Sequence, residues 1–179
     1  MQKLSEKNYN KIGVLGGTFD PPHKGHLYIS RIALKKLKLN KLMWVVTKQN
    51  PLKQKPYLNL KKRIELSKKI TKKERKIFVN YFDSKVRSNN TFNLLNFMKK
   101  KNKKTKLFFL IGADNLSKFH KWYNWKKIPK LAKIVVFPRK GFSSKSLKSI
   151  VYKKLKKKDF LYINSKKVNI SSSLIRKFW

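Results

Sequence analysis

The chain has 179 residues, of which 40% are hydrophobic and 13% aromatic, enough for one domain with a substantial apolar core. It has no cysteine, which excludes disulfides and thiolate catalysis, and no segment is long and uncharged enough to cross a bilayer. Its 48 Lys and Arg against 7 Asp and Glu give a net charge of +41, which by itself suggests a nucleic-acid-binding protein. We expect residues 1–179 to form a single cytoplasmic domain without membrane contact.

The positive charge is spread along the whole chain. Only six of the 48 basic residues are arginine, and the other 42 are lysines without a local cluster of arginine and aromatic residues. This distribution favours a general lysine bias at exposed positions, with a functional polyanion contact as the alternative. We therefore expect no specific nucleic-acid partner, although the field should attract anionic nucleotides in a salt-dependent way.

The first predicted element is a buried parallel strand over residues 12–15, which are short and apolar. It is followed by the string Gly16-Gly17-Thr18-Phe19-Asp20-Pro21-Pro22-His23-Lys24-Gly25-His26. The glycine pair predicts a sharp turn with close backbone approach to a ligand, and the two prolines delay the next helix until about Lys24 or Gly25. Backbone N–H groups and a helix N-terminus then point to one place above the strand, which predicts an anion site.

His23 and His26 supply imidazole donors for the same anion. One histidine could instead cap the helix while the other fills a gap. Metal binding is a further alternative, but His120 is the only other histidine and no cysteine exists, so the ligand set is thin. The strand and glycines beside the histidines favour phosphate binding.

Strand and helix patterns then alternate to the end of the chain. Thr91 is the predicted N-cap of a helix after the third strand, and Phe92, Leu95 and Met98 form the buried side of this helix. The pattern predicts a Rossmann-like parallel α/β sheet of about five or six strands with helices on both faces. The predicted later strands cover residues 42–46, 77–79, 107–111, 134–137 and 160–163, and the helix between the second and third covers residues 59–70, with Leu60, Ile64 and Leu66 facing inward.

Ligands of such sheets bind beyond the carboxyl ends of the strands, which brings distant loops to one site. Those loops carry Lys53 after the second strand, Gly112 and Asp114 after the fourth, and Arg139 after the fifth. Asp114 could cap the next helix or bind a ribose. The aromatic residues just downstream are core residues or a surface that stacks on a flat ring: Phe119, Trp122, Tyr123 and Trp125.

Three serines precede an apolar pair near the end of the chain, at residues 171–173. They can cap a short helix, and the capped end is also a second anion site. Arg176 lies one turn beyond Ser172 and Ser173, where its guanidinium can reach the same phosphates. A triphosphate could therefore lie between this segment and the loop that carries the two histidines.

Together these motifs resemble the bacterial nicotinate-nucleotide adenylyltransferases, members of the nucleotidylyltransferase superfamily with an H-x-G-H signature. The resemblance runs from Ile12 to Arg176. Besides the histidine string it rests on Gly112-Ala113-Asp114, Phe119-x-x-Trp122-x-x-Trp125-x-x-Ile128, Arg139-Lys140-Gly141 in place of Arg-Pro-Gly, and residues 170–176 in place of I-S-S-T-x-I-R.

The resemblance implies transfer of AMP from ATP to nicotinate mononucleotide, with Mg²⁺ accompanying the ATP. His26, His23, Lys53 and Arg176 would be the catalytic residues. Thr91, Trp122, Tyr123 and Arg139 would bind the pyridine nucleotide. ATP would be held by Gly16, Gly17, Thr18, Phe19, His23, His26, Gly112, Asp114, Ser172, Ser173 and Arg176.

Two segments depart from the family pattern. Residues 50–53 read Asn-Pro-Leu-Lys where the family commonly has Pro-Pro-His-Lys, and residues 90–95 lack the tyrosine and aspartate of Tyr-Thr-x-Asp-Thr-Leu. The acceptor is therefore less defined than the transfer reaction. A nicotinamide mononucleotide or phosphopantetheine acceptor, and a non-catalytic basic nucleic-acid-binding module, are the alternatives. A homo-oligomer stays open.

Overall fold

Six short apolar segments form one parallel sheet in the order β3-β2-β1-β4-β5-β6. We describe a computed structural model that covers residues 10–101, 104–139, 141–142, 148–155, 157–165 and 170–178. The strands are β1 (Asn10–Gly17), β2 (Lys41–Val46), β3 (Ile77–Asn80), β4 (Thr105–Gly112), β5 (Lys133–Phe137) and β6 (Phe160–Tyr162). All five pairings are parallel, which confirms the predicted α/β sheet.

Helices cover both faces of the sheet because β1, β2, β4 and β5 bury side chains on both sides. One apolar cluster joins Val14 and Phe109 to Leu95 and Leu116, and the other joins Leu15 and neighbouring residues to the first two helices. The helices are α1 (Lys24–Lys36), α2 (Leu60–Thr71), α3 (Asp83–Val86), α4 (Thr91–Lys101), α5 (Ala113–Lys118), α6 (Ile128–Leu131), α7 (Ile150–Lys154) and α8 (Ser172–Arg176). None of these described helices has the length and apolar composition that a bilayer crossing requires.

The predicted glycine turn is wrong. Gly16 and Gly17 continue β1 and pair with Val45 and Val46, so the backbone stays extended there. The turn falls at Phe19, whose φ of 50° lies in the left-handed region. Its ring is 2% exposed and stacks on a buried tryptophan, and this packing holds a conformation that a non-glycine residue seldom adopts.

Two helix details also differ from the prediction. Thr91 is the first residue of α4 rather than its cap, because the Asn90 side chain accepts the bond from the Asn93 N–H at 3.0 Å. In α2 the residues with the least exposure are polar, namely Arg63, Ser67 and Thr71, whereas Leu66 is only partly buried. Apolar periodicity could not reveal a buried face made of polar side chains.

Candidate active site

Two cavities lie beside β1, at the carboxyl ends of the strands. The first has a volume of about 230 Å³ and contains His23, His26 and Lys53 in its wall; we call it the histidine cavity. The second has a volume of about 400 Å³ and contains Thr91 and Tyr123; we call it the tryptophan cavity. Gly16, Gly17 and Trp122 line both. The strand order reverses between β1 and β4, so both cavities lie at the switch point, where such sheets bind nucleotides.

The two glycines keep the boundary between the cavities open. A Cβ built on Gly16 would lie 3.7 Å from the Phe109 ring, and one on Gly17 would lie 3.6 Å from the Phe19 ring, which are ordinary contacts. The protein therefore has room for a Cβ at both positions, and its absence leaves free space between the two cavities.

The two histidines lie at the first turn of α1, with ring centroids 3.8 Å apart. The His26 Nδ1 accepts a hydrogen bond from the backbone N–H of His23 at 3.2 Å. Because Nδ1 is the acceptor, the neutral His26 ring carries its proton on Nε2, which makes Nε2–H the donor for a ligand. The His23 Nδ1 is buried without a hydrogen-bond partner within the described part of the chain.

Buried contacts fix the position of His26. Its ring centroid lies 4.8 Å from that of Phe19, which in turn stacks on Trp44 at 4.9 Å. The Trp44 indole N–H donates to the Ser30 hydroxyl at 2.9 Å, and that hydroxyl donates to the His26 carbonyl at 2.7 Å. Ring and backbone of His26 are thus both held before any ligand arrives.

Burial keeps both imidazoles neutral. It lowers the pKa of His23 to about 4, with a smaller contribution from the positive charge of Arg139. The pKa of His26 is also lowered, first by burial and then by His23, Arg139 and Lys53. At neutral pH the rings therefore offer N–H donors without a charge of their own, in a cavity whose positive field comes from neighbouring side chains.

The lowered pKa values predict a loss of stability in mild acid. Between pH 6.5 and about 4 the unfolded chain binds protons at His23 that the folded chain does not, so the free energy of unfolding falls as the pH falls through this range. The loss from His23 is about 3 kcal/mol at most. Urea unfolding at several pH values would measure it. The pH dependence should be shallower in His23→Gln, and equal slopes for the two proteins would contradict the prediction.

The short helix α8 is attached to the histidine loop. Ser171 is its N-cap and accepts from the Leu174 N–H, the Ser172 hydroxyl donates to the Pro21 carbonyl at 2.8 Å, and Arg176 donates to the Asp20 carbonyl. Ser171, Ser172 and Ser173 line the histidine cavity. The structure therefore brings the two ends of the predicted site together, but the Arg176 guanidinium is engaged with the loop itself.

Asp114 and Arg139 form an ion pair on the opposite wall, with Nη1 and Oδ2 2.5 Å apart. The other carboxylate oxygen of Asp114 is buried and has no hydrogen-bond partner among the described residues. Asp114 does not cap α5, whose N-cap position is Gly112. Arg139 lines the histidine cavity and not the tryptophan cavity, and Lys140 of the same motif lies outside the described residues.

Lys53 enters the histidine cavity from the loop after β2. The pKa of Lys53 is lowered, first because the surrounding protein removes water from the ammonium and then because of the positive charges of Arg139 and Arg176. The negative charge of Asp114 opposes this effect. The residue as a whole is exposed to solvent, which screens these charges. Lys53 therefore stays a cation available to a negatively charged ligand.

The tryptophan cavity has aromatic and amide side chains. Trp122 packs against Phe119 and Phe109 with centroid distances of 4.9 and 5.9 Å, so one part of its ring system is fixed by the core. Tyr123 is 59% exposed, and its ring lies 6.0 Å from that of Phe92. Asn89, Asn90 and Thr91 line the cavity as well. A flat ring with a polar substituent fits these surroundings.

Sequence reasoning assigned no role to three charged residues that hold the site together, although Asp20 lies within the histidine string. Asp20 accepts from the N–H groups of Tyr57 and Leu58 at 2.9 Å each, and Asp83 accepts from Thr47 and Lys48 at 2.8 Å each. Arg63 is 2% exposed and donates to four backbone carbonyls. The only available signal was composition, since acidic residues and arginines are rare in this chain.

A parallel sheet with paired histidines at its switch point and a polar cavity beside them is typical of the nucleotidyltransferase class of α/β proteins. Residues 14–178 match the family model described as cytidylyltransferase-like. A protein of Pelagibacter ubique named "Probable nicotinate-nucleotide adenylyltransferase" is 51% identical over 176 residues, which is 96% of this chain and 97% of that protein. A protein of the same name from Aliarcobacter butzleri is 35% identical, over 93% of this chain and 86% of its own length.

These matches cover nearly the whole sequence. The chain belongs to the nicotinate-nucleotide adenylyltransferases, within the cytidylyltransferase-like family. The fold agrees with that of Plasmodium falciparum nicotinic acid mononucleotide adenylyltransferase complexed with NaAD, at a TM-score of 0.75 and 21% identity over 95% of this chain and 84% of that one. The same enzyme complexed with APC gives a TM-score of 0.73.

Proposed function

We propose that the protein transfers the AMP moiety of ATP to nicotinate mononucleotide and releases pyrophosphate. The observation that carries this proposal is the pair of adjoining cavities with Gly16, Gly17 and Trp122 common to both. One cavity offers histidine and lysine donors for phosphates, and the other offers an aromatic and amide surface for a pyridine ring. Two nucleotides bound in this way would meet above the end of β1.

In the reaction a phosphate oxygen of the mononucleotide attacks the α-phosphorus of ATP, the bond to the β-phosphate oxygen breaks, and pyrophosphate leaves. Such a step needs alignment and charge neutralisation rather than a covalent nucleophile. We assign the neutral Nε2–H of His26 to the oxygen on which charge grows, with His23 and Lys53 beside it. Thr18 and Ser173 would bind the phosphates that leave, and Ser172 would contribute its backbone N–H, because its hydroxyl donates to the Pro21 carbonyl.

Arg176 has an indirect part in this proposal. Its guanidinium donates to the Asp20 carbonyl and lies 3.5 Å from the Asp20 carboxylate, so it holds the histidine loop against α8. The unpartnered Oδ1 of Asp114 would accept a hydroxyl of the adenosine ribose, and Arg139, its ion-pair partner, would add positive charge to the nucleotide side. Thr91, Trp122 and Tyr123 would contact the pyridine nucleotide.

Mg²⁺ would enter with ATP. Within the described part of the chain no group of three or more His, Asp or Glu side chains could hold a metal ion by itself. The carboxylates of Asp20 and Asp83 already accept hydrogen bonds from the protein. The cavity walls therefore fit an ion that is held mainly by the triphosphate and by water, as Mg²⁺ commonly is in such sites. The ion would neutralise charge on the triphosphate.

The reaction uses cellular ATP, which accords with a cytoplasmic location.

Pyrophosphate release tests the proposal directly. The purified protein is incubated with ATP and Mg²⁺ together with nicotinate mononucleotide, nicotinamide mononucleotide or phosphopantetheine, and the products are identified by mass. We expect the nicotinate substrate to give the highest kcat/KM, as the names of the relatives suggest, with a small margin over the nicotinamide substrate because a carboxylate in place of an amide changes only a few contacts. His26→Ala, purified in the same way, controls for contaminating activity. Release with phosphopantetheine alone would assign the chain to a sister reaction.

The charge of +41 predicts weak binding to nucleic acids only. Because the lysines are dispersed, we expect sequence-independent affinity for duplex DNA that is lost as salt rises from about 50 to 200 mM, by about 10³-fold or more. Fluorescence anisotropy with two unrelated duplexes at several salt concentrations measures this. Tight binding of one duplex at high salt would instead support a nucleic-acid function.

A further inference from the structure

Arg63 is a charged side chain buried next to the site but outside both cavities. It lies on the inner face of α2 and is 2% exposed. Burial lowers the pKa of Arg63, and the charges of Asp20 and Asp83 oppose that effect. A guanidinium keeps its proton in proteins, so this is a buried cation that needs several acceptors. Its surroundings show which acceptors it has.

The guanidinium connects three backbone segments. Nη1 donates to the carbonyl of Thr18 at 2.7 Å and to that of Thr47 at 2.6 Å, and Nη2 donates to Lys48 at 2.9 Å. Nε donates to Leu58 at 3.0 Å. Thr18 begins the histidine loop, and Lys48 and Leu58 are the residues just before and just after the loop of residues 49–57. One side chain therefore holds both ends of that loop against the histidine loop.

The loop of residues 49–57 carries Lys53 into the histidine cavity. Within the loop, the Gln49 side chain donates to the Lys53 carbonyl at 2.9 Å, and the Lys53 N–H donates to Asn50 at 3.0 Å. Such internal bonds make the loop a local unit whose placement depends on its two ends. A shift of about 1 Å at a reacting group can cost about a hundredfold in rate, so the attachment of this unit matters for chemistry.

We infer that Arg63 is a positioning residue that fixes Lys53 relative to His23 and His26. The inference rests on the proposed adenylyl transfer for its kinetic consequence, but the attachment itself is a property of the free protein. Lysine at position 63 keeps the charge and cannot reach four carbonyls in three segments, because an ammonium has three donors at one point. In Arg63→Lys the loop of residues 49–57 should then separate from the histidine loop, while α2 stays packed on the sheet.

The first measurement does not depend on activity. The folded Arg63→Lys protein is treated with a limiting amount of trypsin. The control is Arg75→Lys, because Arg75 follows the same helix and its side chain is exposed to solvent. We expect cleavage after Lys53 to be about tenfold faster in Arg63→Lys, because local opening sets the rate, with cleavage at the end of α4 unchanged. Cleavage at Lys53 as slow as in the control would overturn the inference. Asp83→Asn is the second variant if Arg63→Lys does not fold. It weakens the bonds that Asp83 accepts from Thr47 and Lys48, at the start of the same loop.

The second measurement is a double-mutant cycle in the adenylyltransferase reaction. We expect Arg63→Lys to lower kcat by about tenfold with a smaller change in the KM of ATP, and to lower it by less than about threefold in a Lys53→Met background. The same tenfold loss in both backgrounds would mean that Arg63 does not act through Lys53. If the wild-type protein releases no pyrophosphate, the proposed function fails, and the trypsin result still decides the inference.

Discussion

Replacement of His26 by alanine is expected to lower the turnover number by at least about a hundredfold, because it removes a donor aimed at charge that develops in the transition state. The Nδ1 of this ring is occupied by the His23 backbone N–H, so the full effect belongs to the Nε2–H. The KM of ATP should change less than kcat, since the other donors of the cavity remain. Steady-state pyrophosphate release with saturating nicotinate mononucleotide measures both constants.

His120→Ala is the matched control, because His120 is the only histidine outside the paired motif and lines neither of the two cavities. We expect its turnover to stay within about threefold of the wild type. Loss of the capping bond in His26→Ala costs about 1 kcal/mol of stability, so thermal unfolding shows that the variant is folded at the assay temperature. Near-normal turnover of a folded His26→Ala protein would remove His26 from the mechanism.

Replacement of Asp20 by alanine is expected to lower the free energy of unfolding by about 3 kcal/mol, which corresponds to about 6–12 °C in Tm. Asp20 is 4% exposed, and its carboxylate accepts two backbone N–H groups and faces Arg176. Alanine leaves those donors without their acceptor. Turnover should fall as well, because the histidine loop loses its attachment to residues 57–58.

Glu65→Ala makes the same change in net charge at an exposed position of α2, where the carboxylate contacts only Lys62 among the described residues. A surface ion pair of this kind contributes little, so we expect the Tm of this control to stay within about 2 °C of the wild type. Differential scanning calorimetry of the two variants separates the specific contacts of Asp20 from a general effect of charge. An equal loss of Tm in both would contradict our account of Asp20.

The few acidic residues of the chain gather at the site. Of the seven Asp and Glu residues, Asp20, Asp83 and Asp114 all lie near the carboxyl ends of the strands. Asp20 and Asp83 accept hydrogen bonds from the loop segments beside the cavities, and Asp114 accepts one from Arg139. In a protein with a charge of +41, local carboxylates offset repulsion where cations must come together around an anionic ligand.

The fold could be predicted because its signals are local. Each strand is a short apolar run, such as residues 107–111, and each major helix has an apolar period, so their alternation determined a parallel sheet before any contact was known. The histidine string was equally visible, since its residues are adjacent in sequence. The carboxyl-end rule predicted that Lys53, Asp114 and Arg139 lie at one place, and all three line the histidine cavity.

The sequence by itself thus determined the sheet, the helix order and several of the residues around the histidine cavity, among them His23, His26 and Lys53. The tertiary structure decided the contacts between distant segments. The turn lies at Phe19, Arg176 donates to the Asp20 carbonyl, and Arg63 reaches the Thr18 carbonyl from α2. Each of these depends on the direction of a side chain relative to a segment distant in sequence. Periodicity reports which face of an element is buried, whereas a hydrogen bond also requires the distance and angle between two such elements, which the packed chain alone defines.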